Sequence, residues 1–198
     1  QELSPGHSTP CITDTLIFLT THQDDELATV ALDRATGAVR WKRVAHASRL
    51  EEFHPVGSLA ASTTAYNGKQ VFSFFGSYGM LCYDLDGKRL WSKPMGPFQD
   101  EFGTSSSPVL VDGKVIMSHD HDVDSFLIAI DQKTGETAWK VSREGFTRGY
   151  STPVIWEHDG RKQILVAGAL QLIAYDASDG HKLWWVNGLA RIVTTTPT

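Results

Sequence analysis

Residues 128–139 read Ile128-Ala-Ile-Asp131-Gln-Lys-Thr134-Gly135-Glu-Thr-Ala-Trp139: a short apolar run, a turn made of Asp and Gly, then Trp eight positions after the Asp. The pattern recurs at Val30-Ala-Leu-Asp33-Arg-Ala-Thr36-Gly37-Ala-Val-Arg-Trp41 and at Leu81-Cys-Tyr-Asp84-Leu-Asp86-Gly87-Lys-Arg-Leu-Trp91. A fourth copy is Ile173-Ala-Tyr-Asp176-Ala-Ser-Asp179-Gly180-His-Lys-Leu-Trp184. Asp to Trp spans eight positions in three copies and seven in the second, and successive Trp residues lie 50, 48 and 45 positions apart. Four copies in phase define a repeat protein, and the repeat decides the fold before any single element is read.

Upstream of each motif stands a matching front half. Ser107-Pro108-Val-Leu-Val-Asp112-Gly113-Lys-Val-Ile-Met reads as strand, Asp-Gly hairpin and strand, and Asn67-Gly68 and Asp159-Gly160 occupy the same place in repeats two and four. Ser8-Thr9-Pro10, Ser151-Thr152-Pro153 and Thr195-Thr196-Pro197 open repeats, where repeat two has Ser62-Thr63-Thr64-Ala65. Pro at the first residue of a strand costs no ladder hydrogen bond. Each repeat is therefore four short strands, and no helical period intrudes. One small sheet cannot bury both faces, so neighbours must stack. The expected architecture is an all-β propeller of four-stranded antiparallel blades within a single domain. The blades fall at about 9–44, 61–94, 105–142 and 150–188, with the start of a fifth at 194–198. Asp33, Gly37, Trp41, Asp84, Gly87, Trp91, Asp131, Gly135, Trp139, Asp176, Gly180 and Trp184 read as structural. Asp bonds local amides in the turn, Gly accepts positive φ, and Trp supplies a flat surface for packing between blades.

The 198 residues carry 18 Lys and Arg against 23 Asp and Glu, a net charge of −5, with 41% hydrophobic and 21% charged residues. This globular balance excludes a disordered chain, a collagen-like chain and a disulfide-dense scaffold. Without a basic run longer than two residues, nucleic acid is not an expected partner. No apolar stretch approaches the roughly 18 residues of a membrane span. Cys11 and Cys82 sit in strand-like runs and read as buried thiols. The sequence opens on Gln1 with no basic segment leading into an apolar one, so either a leader has been removed or the start is missing.

At its Ala-x-Asp-x-x-Thr-Gly-x-x-x-Trp motifs the sequence resembles the pyrroloquinoline-quinone (PQQ) type of β-propeller repeat. More closely, it is similar to bacterial secreted PQQ-binding-like repeat proteins. That likeness rests on Gly6-His-Ser-Thr-Pro10, Phe53-His-Pro55, Phe74-Phe-Gly-Ser-Tyr-Gly79, Leu81-Cys-Tyr-Asp-Leu-Asp-Gly87 and Phe102-Gly-Thr-Ser-Ser-Ser-Pro108. The resemblance implies a closed ring of about seven or eight blades, so four blades at roughly 45 residues each form a partial ring. The remaining blades would come from the rest of the chain or from a second copy. It also implies a periplasmic or secreted location. By analogy with the lipoprotein scaffold of the bacterial outer-membrane barrel-assembly machine, the expected role is a non-catalytic scaffold without cofactor, holding a protein, peptide or carbohydrate on its face. The same resemblance leaves a second reading, a PQQ- and calcium-dependent quinoprotein dehydrogenase of alcohols or sugars.

Binding residues of a rigid β scaffold concentrate on its loops. The link after the first repeat, residues 42–60, holds His46, Arg49, Glu51, Glu52 and His54; the second, 92–104, holds Asp100 and Glu101. The third holds Arg143, Glu144 and Arg148. The adjacent carboxylates Glu51-Glu52 and Asp100-Glu101 fit acid/base work or cation binding, and equally a solvated loop face. His54 is a candidate for the binding face or a structural histidine. For a quinone and its calcium, Asp100 and Glu101 are the candidate acidic ligands, with Arg148 for the quinone carboxylates. Ser118-His119-Asp120-His121-Asp122-Val123-Asp124-Ser125 is the densest set of potential metal ligands. Asp120, Asp122 and Asp124 alternate as at the opening of a calcium loop, although Ser125 stands where such a loop needs Gly. His119 and His121 share one side of an extended chain and could hold zinc, and a plain polar hairpin turn fits as well. The sequence lacks the adjacent Cys pair found in many quinoprotein alcohol dehydrogenases, and its Trp residues outside the motif, Trp156 and Trp185, lie in or beside strand-like runs.

Overall fold

The structure is a computed structural model that describes residues 3–47, 51, 53–100 and 102–197. Sixteen strands form four antiparallel sheets of four, each in simple sequential order, as propeller blades require. The first sheet holds β1 (Cys11–Ile12), β2 (Leu16–Gln23), β3 (Glu26–Asp33) and β4 (Val39–His46). The second holds β5 (Ala65–Tyr66), β6 (Gln70–Phe75), β7 (Gly79–Asp84) and β8 (Arg89–Lys93). The third holds β9 (Val109–Val111), β10 (Lys114–His119), β11 (Phe126–Asp131) and β12 (Thr137–Ser142). The fourth holds β13 (Val154–His158), β14 (Arg161–Gly168), β15 (Gln171–Asp176) and β16 (Lys182–Asn187). Three sheets begin on the residue after Pro10, Pro108 or Pro153, so each Pro stands just outside the ladder. Among the described residues 194–197 there is no strand.

In each sheet the turn between the third and fourth strands follows from the repeated motif. Asp33 Oδ1 accepts from the backbone N–H of Ala35 and Thr36 and from the Thr36 hydroxyl, and Asp131 Oδ1 is bonded in the same way by Lys133 and Thr134. These bonds, led by those from Thr36 and Thr134, hold both carboxyls below the ordinary carboxylate range. The closing Gly37, Gly87, Gly135 and Gly180 take φ of +72°, +78°, +76° and +77°. A register shift falls just before the Asp in every sheet, at Ala31/Leu32, Cys82/Tyr83, Ala129/Ile130 and Ala174/Tyr175. The Asp112-Gly113 and Asp159-Gly160 hairpins carry positive φ at both residues, as a tight twist-matched hairpin demands.

The chain divides into two compact units, Gln1–Ser105 and Ser106–Thr198, each a pair of sheets. The core of the first unit joins Phe18, Leu27, Ala31 and Trp41 of one sheet to Val71, Phe75, Leu81 and Tyr83 of the other. In the second, Ile116, Leu127 and Ala129 meet Ile164, Val166, Ile173 and Tyr175. Trp41 lies on Gly87, where an added Cβ would come within 2.7 Å of the indole, and its Nε1 donates to Leu85 O at 2.8 Å. Arg43 Nε reinforces the joint by donating to Gly87 O at 2.6 Å. Trp139 lies on Gly180 at the same 2.7 Å. Its Nε1 is buried without a hydrogen-bond partner among the described residues. The contrast follows the turns: Asp176 to Gly180 is one residue longer than Asp84 to Gly87. Only the shorter turn gives its carbonyl to the indole. Trp184 Nε1 donates to Gln163 Oε1 at 2.8 Å within its own sheet. Both cysteines are free thiols: Cys82 is fully buried, and burial foremost pushes its pKa up to about 12, whereas Cys11 is only partly buried.

Candidate functional site

The β2–β3, β6–β7, β10–β11 and β14–β15 connections and the links between sheets carry the candidate residues. In the first unit Glu51 is not free for acid/base work. Its Oε2 accepts from the Ser77 backbone N–H and hydroxyl, and its Oε1 from the Thr104 hydroxyl at 2.9 Å. Ser77 Oγ in turn accepts from Phe98 N–H at 2.9 Å, so one carboxylate ties two links to the turn at 76–78. Gly76 holds φ +46° there, and an added Cβ would meet the Glu51 carboxylate. Asp100 is buried and accepts from the Phe102 N–H at 3.1 Å. Glu101 and Glu52 lie outside the described residues. His54 is exposed; its Nδ1 accepts from Val56 N–H, and its ring lies 5.4 Å from that of Phe102.

In the second unit the segment 118–125 does not fold as a calcium loop. Both oxygens of Asp120 are taken by Arg143, with Oδ1 to Nε at 2.6 Å and Oδ2 to Nη2 at 2.7 Å. Asp122 turns instead to Arg148, at 3.1 and 3.4 Å, and Asp124 occupies a turn at φ +58°. The three carboxylates therefore do not converge. Among the described residues no group of three or more His, Cys, Asp or Glu could hold a metal ion. His119 and His121 do come together, ring centroids 4.7 Å apart, against Phe126.

By sequence Arg143 is one charge among several in a link, and the structure makes it the largest fully buried side chain among the described residues. Beyond Asp120 it donates from Nη1 to the Tyr175 hydroxyl at 2.6 Å, and its guanidinium lies 4.5 Å from the Phe146 ring centre. Burial opposes its charge, but the Asp120 hydrogen bond and charge outweigh burial and leave its pKa raised. Gly149 and Gly168 make room, since a Cβ at either would come within 2.7 Å of Asp120 or 2.5 Å of Arg143. Those glycines were the one signal in the sequence, legible only once the partners were known.

Burial, and next the neighbouring His121, push His119 well below its ordinary 6.5. His119 is thus neutral in the fold and takes up a proton on unfolding below that value. Its contribution to stability is present above pH 6.5 and is lost as pH falls toward the folded value. We expect the melting temperature to drop between about pH 7 and pH 5 and His119→Leu to flatten the drop, as a thermal-shift series in pH will read.

Beside this node lies an open notch of about 210 Å³ lined by Thr147, Arg148, Arg191 and Ile192. The chain after β16 folds back over the β14–β15 turn. Leu170 N–H donates to Ala190 O at 3.0 Å, and Leu170 O accepts from Gly188 and Leu189. Leu170, Leu189 and Ile192 are 57%, 37% and 45% exposed. The notch is smaller than the roughly 300 Å³ at which small-molecule sites begin. Of the residues that the quinone reading singles out, Asp100 accepts from its own loop and Arg148 pairs with Asp122.

The sequence matches, over residues 3–141, the family described as outer membrane protein assembly factor BamB. A comparison with curated proteins finds no match. Among solved structures, BamB from Moraxella catarrhalis is similar over 98% of this chain, at 20% identity and a TM-score of 0.65. Quinohemoprotein alcohol dehydrogenase from Comamonas testosteroni is similar over 93% at 14% identity and a TM-score of 0.69. A europium-containing methanol dehydrogenase is similar over 92% at 15% identity and a TM-score of 0.63. The chain spans 52%, 35% and 42% of those proteins respectively. At these identities the likeness is one of fold.

Proposed function

Because this chain belongs to the family of outer membrane protein assembly factor BamB, we propose that it is a non-catalytic scaffold, working outside the cytoplasm, that binds a protein partner through the loop end of its sheets. The observation that carries this reading is the exposed surface of Leu170, Leu189 and Ile192 beside Arg148 and Arg191, set on a rigid antiparallel frame. Large apolar side chains at a loop end, next to cations, suit the centre and rim of a protein contact. The candidate polar residues support the reading by being otherwise engaged: Glu51 and Asp100 brace links, and Asp120 neutralises Arg143.

Calorimetric titration of the purified chain with PQQ and calcium tests this against the dehydrogenase reading. We expect no saturable quinone binding. Micromolar binding that is lost in Arg148→Ala, together with dye-linked oxidation of an alcohol or sugar, overturns the scaffold.

A further inference from the structure

The chain has two asparagines, Asn67 and Asn187, and each is followed by Gly. An Asn-Gly pair can react with itself, because the Gly N–H attacks the side-chain amide and no side chain on Gly obstructs the approach. Both pairs are exposed, so exposure does not tell them apart. Their hydrogen bonds do. Asn187 ends β16, and there the Gly188 N–H donates to Leu170 O at 3.0 Å, while Asn187 Oδ1 accepts from the Gln171 side chain at 2.9 Å. The attacking nitrogen is thus tied down. At Asn67 the arrangement is reversed. The Gly68 N–H forms no hydrogen bond among the described residues. Asn67 Oδ1 accepts from two backbone N–H groups, of Lys69 at 3.0 Å and of Gln70 at 2.8 Å.

Those two N–H groups sit on the oxygen that gains negative charge when the amide carbon is attacked, which is the arrangement of an oxyanion hole. The turn builds it for another reason. The same pair of bonds closes the hairpin between β5 and β6, as Thr13 Oγ1 closes the first sheet's hairpin by accepting from Thr15 and Leu16. β5 is two residues long, so local opening to the attack geometry costs little. We propose that Asn67 is a site of spontaneous modification, converting to aspartate and isoaspartate in the folded chain, and that Asn187 is protected. Gly68 N gives its proton to water and bonds to Asn67 Cγ, the Cγ–Nδ2 bond breaks, and ammonia leaves with a proton taken from water. Water then opens the cyclic imide. Opening at Cγ leaves aspartate, and opening at the backbone carbonyl carbon leaves isoaspartate, with Gly68 attached through Cγ. Water is the only co-reactant. In an antiparallel sheet of this order the β5–β6 turn lies at the end away from the β6–β7 turn and the links. The inference therefore stands apart from the scaffold reading, which draws on the other end.

Peptide mapping by mass spectrometry tests it. The chain is held at mildly alkaline pH, folded in buffer or unfolded in urea. The peptides that contain Asn67 and Asn187 are followed for the mass gain that marks exchange of an amide for a carboxyl. In urea the two asparagines are expected to react at similar rates, since each has the same neighbour. In the folded chain Asn67 is expected to react about tenfold or more faster than Asn187, because the Gly188 N–H must first leave Leu170 O. Isoaspartate appears in the Asn67 peptide. Asn67→Thr, which copies Thr13, keeps the melting temperature and ends the mass gain in that peptide. Asn67→Asp also keeps the melting temperature, because a carboxylate oxygen accepts the same two N–H groups. The inference falls if folding protects both asparagines alike, or if Asn187 reacts first.

Discussion

Replacing Arg143 by methionine is expected to cost the second unit about 3–5 kcal/mol in urea unfolding, the loss typical of leaving one charge of a buried pair without its partner. Arg143 and Asp120 side chains are 0% and 2% exposed. The guanidinium satisfies both carboxylate oxygens and the Tyr175 hydroxyl at once. Methionine fills the space without supplying a donor, so Asp120 must either stay charged in an apolar setting or take up a proton. The double variant Arg143→Met/Asp120→Asn removes the charge as well and recovers part of the loss. Gly168→Ala reaches the same node from outside, because its methyl would enter the space of the guanidinium and the Phe146 ring. An Arg143→Met protein within about 1 kcal/mol of the parent would mean that water reaches the pair and that the node does not hold the second unit together.

The second large effect lies at the joint between the first two sheets. Trp41→Ala removes an indole that is 7% exposed and packed on Gly87, and a loss of about 3–5 kcal/mol is expected. Trp41→Phe isolates the polar part. It keeps much of the ring but leaves Leu85 O without its donor, adding about 1 kcal/mol to the packing loss. Trp139→Phe is the control, because the Trp139 N–H is buried with no acceptor among the described residues and its removal forfeits none of their bonds. Denaturation midpoints of the four proteins, parent included, decide the matter. An equal cost for the two Trp→Phe variants would show that the Leu85 bond contributes nothing measurable.

The blades were legible because their cause is local. Asp33 with Thr36 and Asp131 with Thr134 close their turns within four residues, so spacing alone locates them. Pro10, Pro108 and Pro153 mark strand starts for an equally local reason. The candidate site was not local. Asp120 reads as a metal ligand beside His121, and only the fold carries Arg143 to it from 23 positions away. Glu51 reads as half of an acidic pair, whereas its partners are Ser77 and Thr104, 26 and 53 positions distant. Arg148 reads as a cation for quinone carboxylates, whereas the structure pairs it with Asp122, 26 positions before it. Such pairings leave no mark in composition or periodicity.

The seating of Trp41 on Gly87, and of Trp139 on Gly180, has a bearing on how such a chain changes over generations. Both of these tryptophans make their contact in the copy that follows, so each of the two joints belongs to two successive copies and is built from the same parts. A duplication or deletion of one whole repeat, of 45 to 50 residues here, therefore keeps an indole and a glycine together at such a joint. A change of half a repeat strands one of them. Copy number is free to drift in whole steps under this arrangement, while the length within a copy is held nearly fixed.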